Sequence, residues 1–342
     1  MTESKLGNVI ISGFSKAIAP LKITNTDLSK MMDTSDDWIR KRSGIETRFW
    51  VDEKTKTSTL AIQAAKACLE KLGNPQVDAI VVATLSPDHF FPGVGVQVQH
   101  GLGLETIPAY DIRNQCSGFL YGLEMARALI VAGSYRKILL IGAEVHSTGL
   151  DKSTRGRDVA VLFGDGAGAC LLELETERSD RNKAALRFID SELHADGSYL
   201  KELWNEHPGS GGYPERLTVE MLENASTYPH MNGRLVFEHA VKKMSEVSRS
   251  ILKKHGRLPE DVLLLVPHQA NIRINHMVAT SLGIPEDKSF NTIAKYGNTT
   301  AATIPIGLTD AEEDHRFEKH GLVLCPAFGS GFTWGAALFE VA

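Results

Sequence analysis

One succession of helix, turn, strand and polar motif occurs twice in this chain, and that repetition restricts its fold more than any other feature. Residues 57–72 place Leu60, Ala64, Ala67, Cys68 and Leu72 along one helical face, then pass through Gly73, Asn74 and Pro75 into an apolar strand at 79–84. Residues 235–252 carry the same kind of helical pattern, and Gly256 and Pro259 lead into the strand 262–267. After each copy a polar motif opens another apolar helix: Cys116-Ser117-Gly118 before 119–132, and Gly297-Asn298-Thr299 before 300–308. Each half closes on a glycine-rich turn and a strand, Phe163-Gly164-Asp165-Gly166 into 167–174 and Phe328-Gly329-Ser330-Gly331 into 333–341. Helical stretches alternating with short apolar strands place helices on the faces of sheets, an α/β class. Two long copies do not make a solenoid; they predict two similar α/β halves packed against each other. Residues 205–228 interrupt the pattern, because Pro208, Gly209, Gly211, Gly212 and Pro214 cannot continue a helix or central strand, and a long loop is expected there.

Cys116 follows an apolar strand at 107–112 and directly precedes a helix. Its sulfur therefore belongs near a helix amino terminus, where free amides and partial positive charge favour the thiolate. His268, in Pro267-His268-Gln269-Ala270-Asn271, stands at the end of the apolar run 263–266, where side chains leave a sheet for a crevice. Its counterpart in sequence is Tyr296-Gly297-Asn298. A cysteine with a histidine and an asparagine suits a cysteine hydrolase, in which histidine is the base and asparagine orients it. The set equally suits a decarboxylating condensation, in which His268 and Asn298 both donate hydrogen bonds to one thioester oxygen as an enolate forms. Residue types and spacing leave both readings open. Gly329-Ser330-Gly331 offers backbone amides for an oxyanion hole, or is simply a bend that glycine permits.

Charge and cysteine usage exclude other classes. Lys and Arg total 37 against 42 Asp and Glu, a net charge of -5, so there is no overall basic field for a nucleic acid or an anionic membrane. Apolar runs such as 138–143 and 262–267 fall far short of the ~18 residues of a membrane span. The start of the chain, through Glu3, Lys5 and Asn8, lacks the features of a secretion signal, so a cytoplasmic protein is expected. Cys68, Cys116, Cys170 and Cys325 are scattered without C-x-x-C spacing, which predicts reduced thiols and no metal site. Cys68, Cys170 and Cys325 read as small core residues. Gly164-Asp165-Gly166 lacks the Lys-Ser/Thr pair of a phosphate loop and reads as a structural bend.

On its motifs the chain resembles the thiolase-fold condensing enzymes, most closely the β-ketoacyl-acyl carrier protein synthase III family. The resemblance runs over nearly the whole length and rests on Thr34-Ser35-Asp36-Asp37-Trp38-Ile39, Arg42-Ser43-Gly44-Ile45, Cys116-Ser117-Gly118-Phe119, Phe163-Gly164-Asp165-Gly166-Ala167-Gly168, Pro267-His268-Gln269-Ala270-Asn271, Tyr296-Gly297-Asn298-Thr299 and Phe332-Thr333-Trp334-Gly335. It implies a thiolase-like α/β fold, two duplicated halves in a layered α-β-α-β-α sandwich, with 1–174 carrying the cysteine and 175–342 carrying the histidine and asparagine. It further implies a decarboxylating Claisen condensation of an acyl-coenzyme A starter, acetyl by default, with malonyl-acyl carrier protein, initiating fatty acid synthesis without a cofactor. Cys116 would take the acyl group, His268 and Asn298 would bind the malonyl thioester, and the amides of Cys116 and Ser330 would form the oxyanion hole. Trp38 and Arg155 would flank the coenzyme A adenine, with Arg42 nearby and Gly156 lining the channel. An indole with a guanidinium is a suitable sandwich for an aromatic base. Arg273 would lie where acyl carrier protein docks, and Phe91 would cross a homodimer interface into the partner's acyl pocket. The chain departs from the family's usual pattern at Arg113 and Asn114, where small residues are common, at Ser330, where glycine is frequent, and in the length of 205–228. The first and third of these bear on the acyl pocket, leaving open a longer, branched or aromatic starter, or a related condensing enzyme or acyltransferase of secondary metabolism.

Overall fold

The computed structural model describes residues 7–178 and 185–342; the first six residues of the amino-terminal segment read above lie outside it. Nine strands form one hydrogen-bonded sheet: β1 (Val9–Ile18), β2 (Ala79–Ala83), β3 (Ala109–Ile112), β4 (Lys137–Glu144), β5 (Gly166–Leu174), β6 (Leu186–Ala195), β7 (Val262–Leu265), β8 (Leu322–Gly329) and β9 (Thr333–Val341). Their order is β7-β8-β9-β6-β1-β5-β4-β2-β3. The duplication is explicit in the pairing. In the first half β2 runs parallel to β4, which is antiparallel to β5, which is antiparallel to β1. In the second, β7 runs parallel to β8, β8 antiparallel to β9, and β9 antiparallel to β6. The counterpart of β3 is reduced to a single parallel bridge, Leu265 with Ser289. The halves join through two residue pairs, Ile10 with Arg187 and Ile11 with Leu186.

The helices used below are α1 (Asp36–Ser43), α2 (Thr57–Lys71), α3 (Val94–Gly101), α4 (Gly118–Val131), α5 (Gly233–Lys254), α6 (Ile272–Leu282) and α7 (Thr303–Glu313). Three of the apolar cores bind five layers together, the central one packing both faces of the middle helices. One core joins α2 and α3 to the outer face of the first half's strands, and another joins α5 and α6 to the outer face of the second half's. Between the inner faces lie α4 and α7, in a core that includes Phe119, Leu123, Leu140, Ile304, Leu308 and Phe339. This is the thiolase-like arrangement expected. Strands covered on both faces are apolar throughout, as in β2, where all five residues are buried. Helix α7 is buried over residues 303–311, so it cannot show the one-sided pattern of a surface helix. The turn that leads into it needs glycine in the sheet: a Cβ on Gly142 would lie 2.3 Å from the Ala301 carbonyl oxygen.

Both glycine-rich turns lead into the expected strands, Gly166–Leu174 and Thr333–Val341, but their contexts differ, and the expected loop needs correction. Ser330 to Phe332 is a tight connection between β8 and β9, whereas Phe163-Gly164-Asp165 follows a long passage out from Glu144. Asp165 holds that bend together, its carboxylate accepting hydrogen bonds from the amides of Val51, His146 and Ser147 at 2.9, 2.7 and 2.9 Å. The segment expected as loop contains a short helix, Val219–Glu223, capped by the Thr218 hydroxyl. Its base is closed by two paired dipeptides, Leu203–Trp204 against His230–Met231.

Candidate active site

Cys116 lies in a single 3-10 turn between β3 and α4. The residue before it, Gln115, has φ of 46°, a left-handed conformation that turns the chain sharply from strand to helix. The thiol is buried, and burial, aided by the charge of Glu144, pushes its pKa up to about 12; the backbone amides of Cys116 and Ser330 act in the opposite direction. Those two amides therefore converge on the sulfur. The Ser330 turn is pressed against the nucleophile, since a Cβ on Gly329 would fall 2.8 Å from the Cys116 Cβ and 3.1 Å from its nitrogen.

His268 follows β7 and is 2% exposed. Burial holds its pKa down at about 3, so the ring is neutral. Its Nδ1 is 2.7 Å from the Thr303 hydroxyl at the start of α7, while Nε2 has no hydrogen-bond partner among the described residues. Asn298 is buried on the neighbouring loop, fixed by its amide donating to Leu162 O (2.8 Å) and its carbonyl accepting from Gly164 N (3.1 Å). Its side-chain oxygen accepts from Thr300 N at 2.9 Å, which leaves the side-chain NH2 as a donor. Cys116, His268, Asn298 and Gly329 line one cavity, whose other walls include Phe163, Leu203, Met231, Phe237 and Ile274. The structure thus brings together the three residues singled out from the sequence.

A carboxylate whose charge acts on Cys116 was missed by sequence reading. Glu144, at the end of β4, is fully buried; one oxygen accepts from Thr84 Oγ1 (2.7 Å), Leu85 N (2.8 Å) and Ser86 Oγ (3.1 Å). Burial still outweighs these donors and pushes its pKa up to about 7. The other oxygen is 3.9 Å from His146 Nε2, and neither atom has a hydrogen-bond partner among the described residues. The only signal was position, the residue directly after an apolar run.

Ser35 caps α1 by accepting from the Trp38 amide, and α1 carries Trp38 and Arg42 one turn apart. The Arg42 guanidinium lies 4.3 Å from the indole centroid and Arg157, which was not anticipated, lies at 5.1 Å. Arg155 is not the cation stacked on Trp38: Asp151 holds its Nε at 2.6 Å, and it also reaches the Glu223 carbonyl at 3.4 Å. Arg155 and Gly156 line a second cavity of about 570 Å³ under the 205–228 excursion; Met231 borders both cavities. Arg273 is exposed at the start of α6 with its guanidinium 5.3 Å from the Phe237 ring. Phe91 is 78% exposed beside Phe90 at 62%. Arg113 is exposed and donates to Leu85 O at 3.3 Å, and neither it nor Asn114 lines the catalytic cavity. Among the described residues no group of three or more His, Cys, Asp or Glu is arranged to hold a metal ion, and no helix is long and apolar enough to cross a membrane.

Comparison with known proteins matches this architecture. Residues 110–197 match the family described as 3-Oxoacyl-[acyl-carrier-protein (ACP)] synthase III, and residues 252–341 match its C-terminal counterpart. The chain is 42% identical over 335 residues to the Beta-ketoacyl-[acyl-carrier-protein] synthase III of Rhodospirillum rubrum, covering 97% of this chain and 99% of that protein. It is 37% identical over 332 residues to the protein of the same name from Roseiflexus sp. (strain RS-1), covering 96% and 97%. The crystal structure of 3-oxoacyl-[acyl-carrier-protein] synthase III from Aquifex aeolicus VF5 aligns with a TM-score of 0.85 at 38% identity, over 97% of this chain and 99% of that one.

Proposed function

Because this chain belongs to the β-ketoacyl-[acyl-carrier-protein] synthase III family, the condensing acyltransferases of fatty acid initiation, we propose that it joins the acyl group of an acyl-coenzyme A to malonyl-acyl carrier protein through an acyl-Cys116 intermediate. The observation that carries this reading is the shared cavity of Cys116, His268 and Asn298, with two backbone amides converging on the thiol.

Cys116 attacks the acyl thioester carbonyl, and the resulting oxyanion sits between the amides of Cys116 and Ser330. The bond to the coenzyme breaks, and the coenzyme leaves as a thiol carrying the proton that Cys116 gave up. The malonyl thioester oxygen then accepts from His268 Nε2–H and Asn298 Nδ2–H. The carbon–carboxylate bond breaks, carbon dioxide leaves, and its electron pair becomes the enolate that these donors hold. The enolate carbon attacks the acyl carbonyl, the bond to Cys116 breaks, and the sulfur takes one proton from water. No cofactor takes part in this scheme.

Trp38, with Arg42 and Arg157 against it, and Arg155 with Gly156 receive the nucleotide end of the coenzyme. Arg273 meets acyl carrier protein, a role suited to an exposed cation beside a residue of the channel wall. The exposed Phe90–Phe91 pair favours a homodimer in which Phe91 enters the partner's acyl pocket. The division between halves falls at 174/175, and the working compartment is the cytoplasm. Acetyl is the default starter; since Leu203 and Met231 reach the cavity wall from the base of the excursion, that segment, rather than Arg113 and Asn114, shapes any preference for a larger acyl group.

The test is mass-resolved product formation from malonyl-acyl carrier protein with a panel of acyl-coenzyme A starters, Cys116→Ala serving as control. A β-ketoacyl product that depends on Cys116 is expected. Acylated enzyme without that product would transfer the assignment to a specialised acyltransferase, and no acylation at all would refute the nucleophile.

A further inference from the structure

Ser330 contributes more than its amide. The three residues between β8 and β9 present that amide to the Cys116 thiol, and the turn is tied on two sides. On one side the Thr333 hydroxyl donates to Ser330 O at 3.0 Å, and lies 2.7 Å from the Ser117 hydroxyl, which itself is 3.0 Å from Asn114 O. This set connects the oxyanion turn to the nucleophile turn. On the other side the Ser330 hydroxyl donates to the carbonyl of Leu203. Leu203 pairs with Met231 in the short ladder that closes the base of the 205–228 excursion, and both side chains line the catalytic cavity. A glycine here, frequent in the family, would provide the amide and leave this second tie unmade.

We propose that the Ser330 hydroxyl is a positioning group for the oxyanion hole, fixing the turn that carries the Ser330 amide to the cavity wall at the base of the excursion. The inference rests on the oxyanion role given above to the two amides. A tetrahedral intermediate is stabilised only by donors already in place, because an amide that must first move into position loses part of the interaction to reorganisation. The hydroxyl thus acts on the chemical step through a backbone group, without touching substrate. It also makes the oxyanion hole sensitive to the excursion, since a displacement of Leu203 is transmitted directly to Ser330.

Ser330→Ala and Ser330→Gly both retain the amide and delete the hydroxyl, whereas Ser330→Thr retains both. The expected result is that Cys116 acylation at saturating acyl-coenzyme A slows about tenfold in the Ala and Gly variants, the scale of one lost hydrogen bond. KM should be unchanged and Ser330→Thr should recover most of the rate. Carbon dioxide release from malonyl-acyl carrier protein, measured in a Cys116→Ala background, should be unchanged, because that step uses His268 and Asn298. Wild-type acylation rates in Ser330→Ala and Ser330→Gly would overturn the proposal. So would an equal fall in both partial reactions, which would assign the hydroxyl to general folding stability. Failure of the wild-type protein to form acyl-Cys116 would be seen before any variant is compared, and would instead refute the proposed function.

Discussion

Thr303→Val isolates the group that decides what His268 can do. The Thr303 hydroxyl has one proton and two acceptors within reach, His268 Nδ1 at 2.7 Å and Thr300 O at 3.0 Å. If the proton goes to Nδ1, the imidazole carries its own hydrogen on Nε2 and offers a donor to the cavity. If it goes to Thr300 O, Nδ1–H donates to the hydroxyl and Nε2 is a bare acceptor, which repels an enolate. Valine keeps the shape and removes the choice, leaving a buried Nδ1 with no partner. Orphaning a buried polar atom costs about 1–3 kcal/mol. Since about 1.4 kcal/mol is a factor of ten in rate, decarboxylation should fall roughly ten- to hundredfold. The assay is carbon dioxide release from carboxyl-labelled malonyl-acyl carrier protein, with Cys116 acylation followed separately by intact-protein mass spectrometry. Acylation should be unaffected, and Thr303→Ser, which restores the hydroxyl, should restore decarboxylation. A folded Thr303→Val with wild-type decarboxylation would refute the reasoning, as would equal slowing of acylation.

Four other outcomes follow from the same geometry. Because burial holds His268 near 3 rather than 6.5, decarboxylation in the Cys116→Ala background should stay flat from about pH 5 to 8; a titration centred near 6.5 would show a solvated imidazole instead. Glu144 is raised from 4.5 to about 7, so stability that is full below 4.5 is lost as pH rises through 7; Glu144→Gln should raise the thermal midpoint more at alkaline than at acid pH. The same substitution removes a negative charge acting on Cys116, so iodoacetamide should alkylate the thiol faster, and an unchanged rate would separate the two groups. Gly329→Ala forces a methyl against the Cys116 backbone, a crowding of about 1–3 kcal/mol; acylation should collapse while decarboxylation persists, and wild-type acylation would mean that the turn can yield.

What the sequence disclosed depended on whether a residue's partners were local. The helix expected at 57–72 is Thr57–Lys71 and the one at 235–252 is Gly233–Lys254, because a helix built on a one-sided apolar stripe writes its own period. Cys116 was legible because the strand, polar motif and helix around it are contiguous. Thr303 was not: it lies in a helix buried on every side, and its partner is 35 residues away. The Ser330–Leu203 bond spans 127 residues and has no periodic trace. Arg155 is oriented by a local partner, since Asp151 four residues earlier captures its guanidinium, while Arg157, to which no motif pointed, is the one that reaches Trp38. In the excursion, the prolines and glycines that predict a loop lie before the short helical turn that Thr218 caps.

The protonation states bear on the choice between hydrolase and condensing enzyme that residue types left open. A cysteine hydrolase activates its nucleophile as a thiolate–imidazolium pair, which lowers the thiol pKa and requires the histidine to hold a charge beside it. Here burial drives both groups the other way, the thiol up to about 12 and the imidazole down to about 3, so both are neutral near pH 7. The histidine's remaining nitrogen is held for the cavity by a neutral hydroxyl, with no carboxylate among its hydrogen-bond partners in the described residues. Such a ring is a poor base but a sound hydrogen-bond donor, and a second neutral donor, Asn298, lines the same cavity. Neutral donors stabilise an enolate without protonating it, so the carbon remains nucleophilic long enough to attack the acyl thioester. An imidazolium in the same place would hand over its proton and end the reaction at simple decarboxylation. The burial that makes His268 unsuited to hydrolysis is thus the property that carbon–carbon bond formation requires.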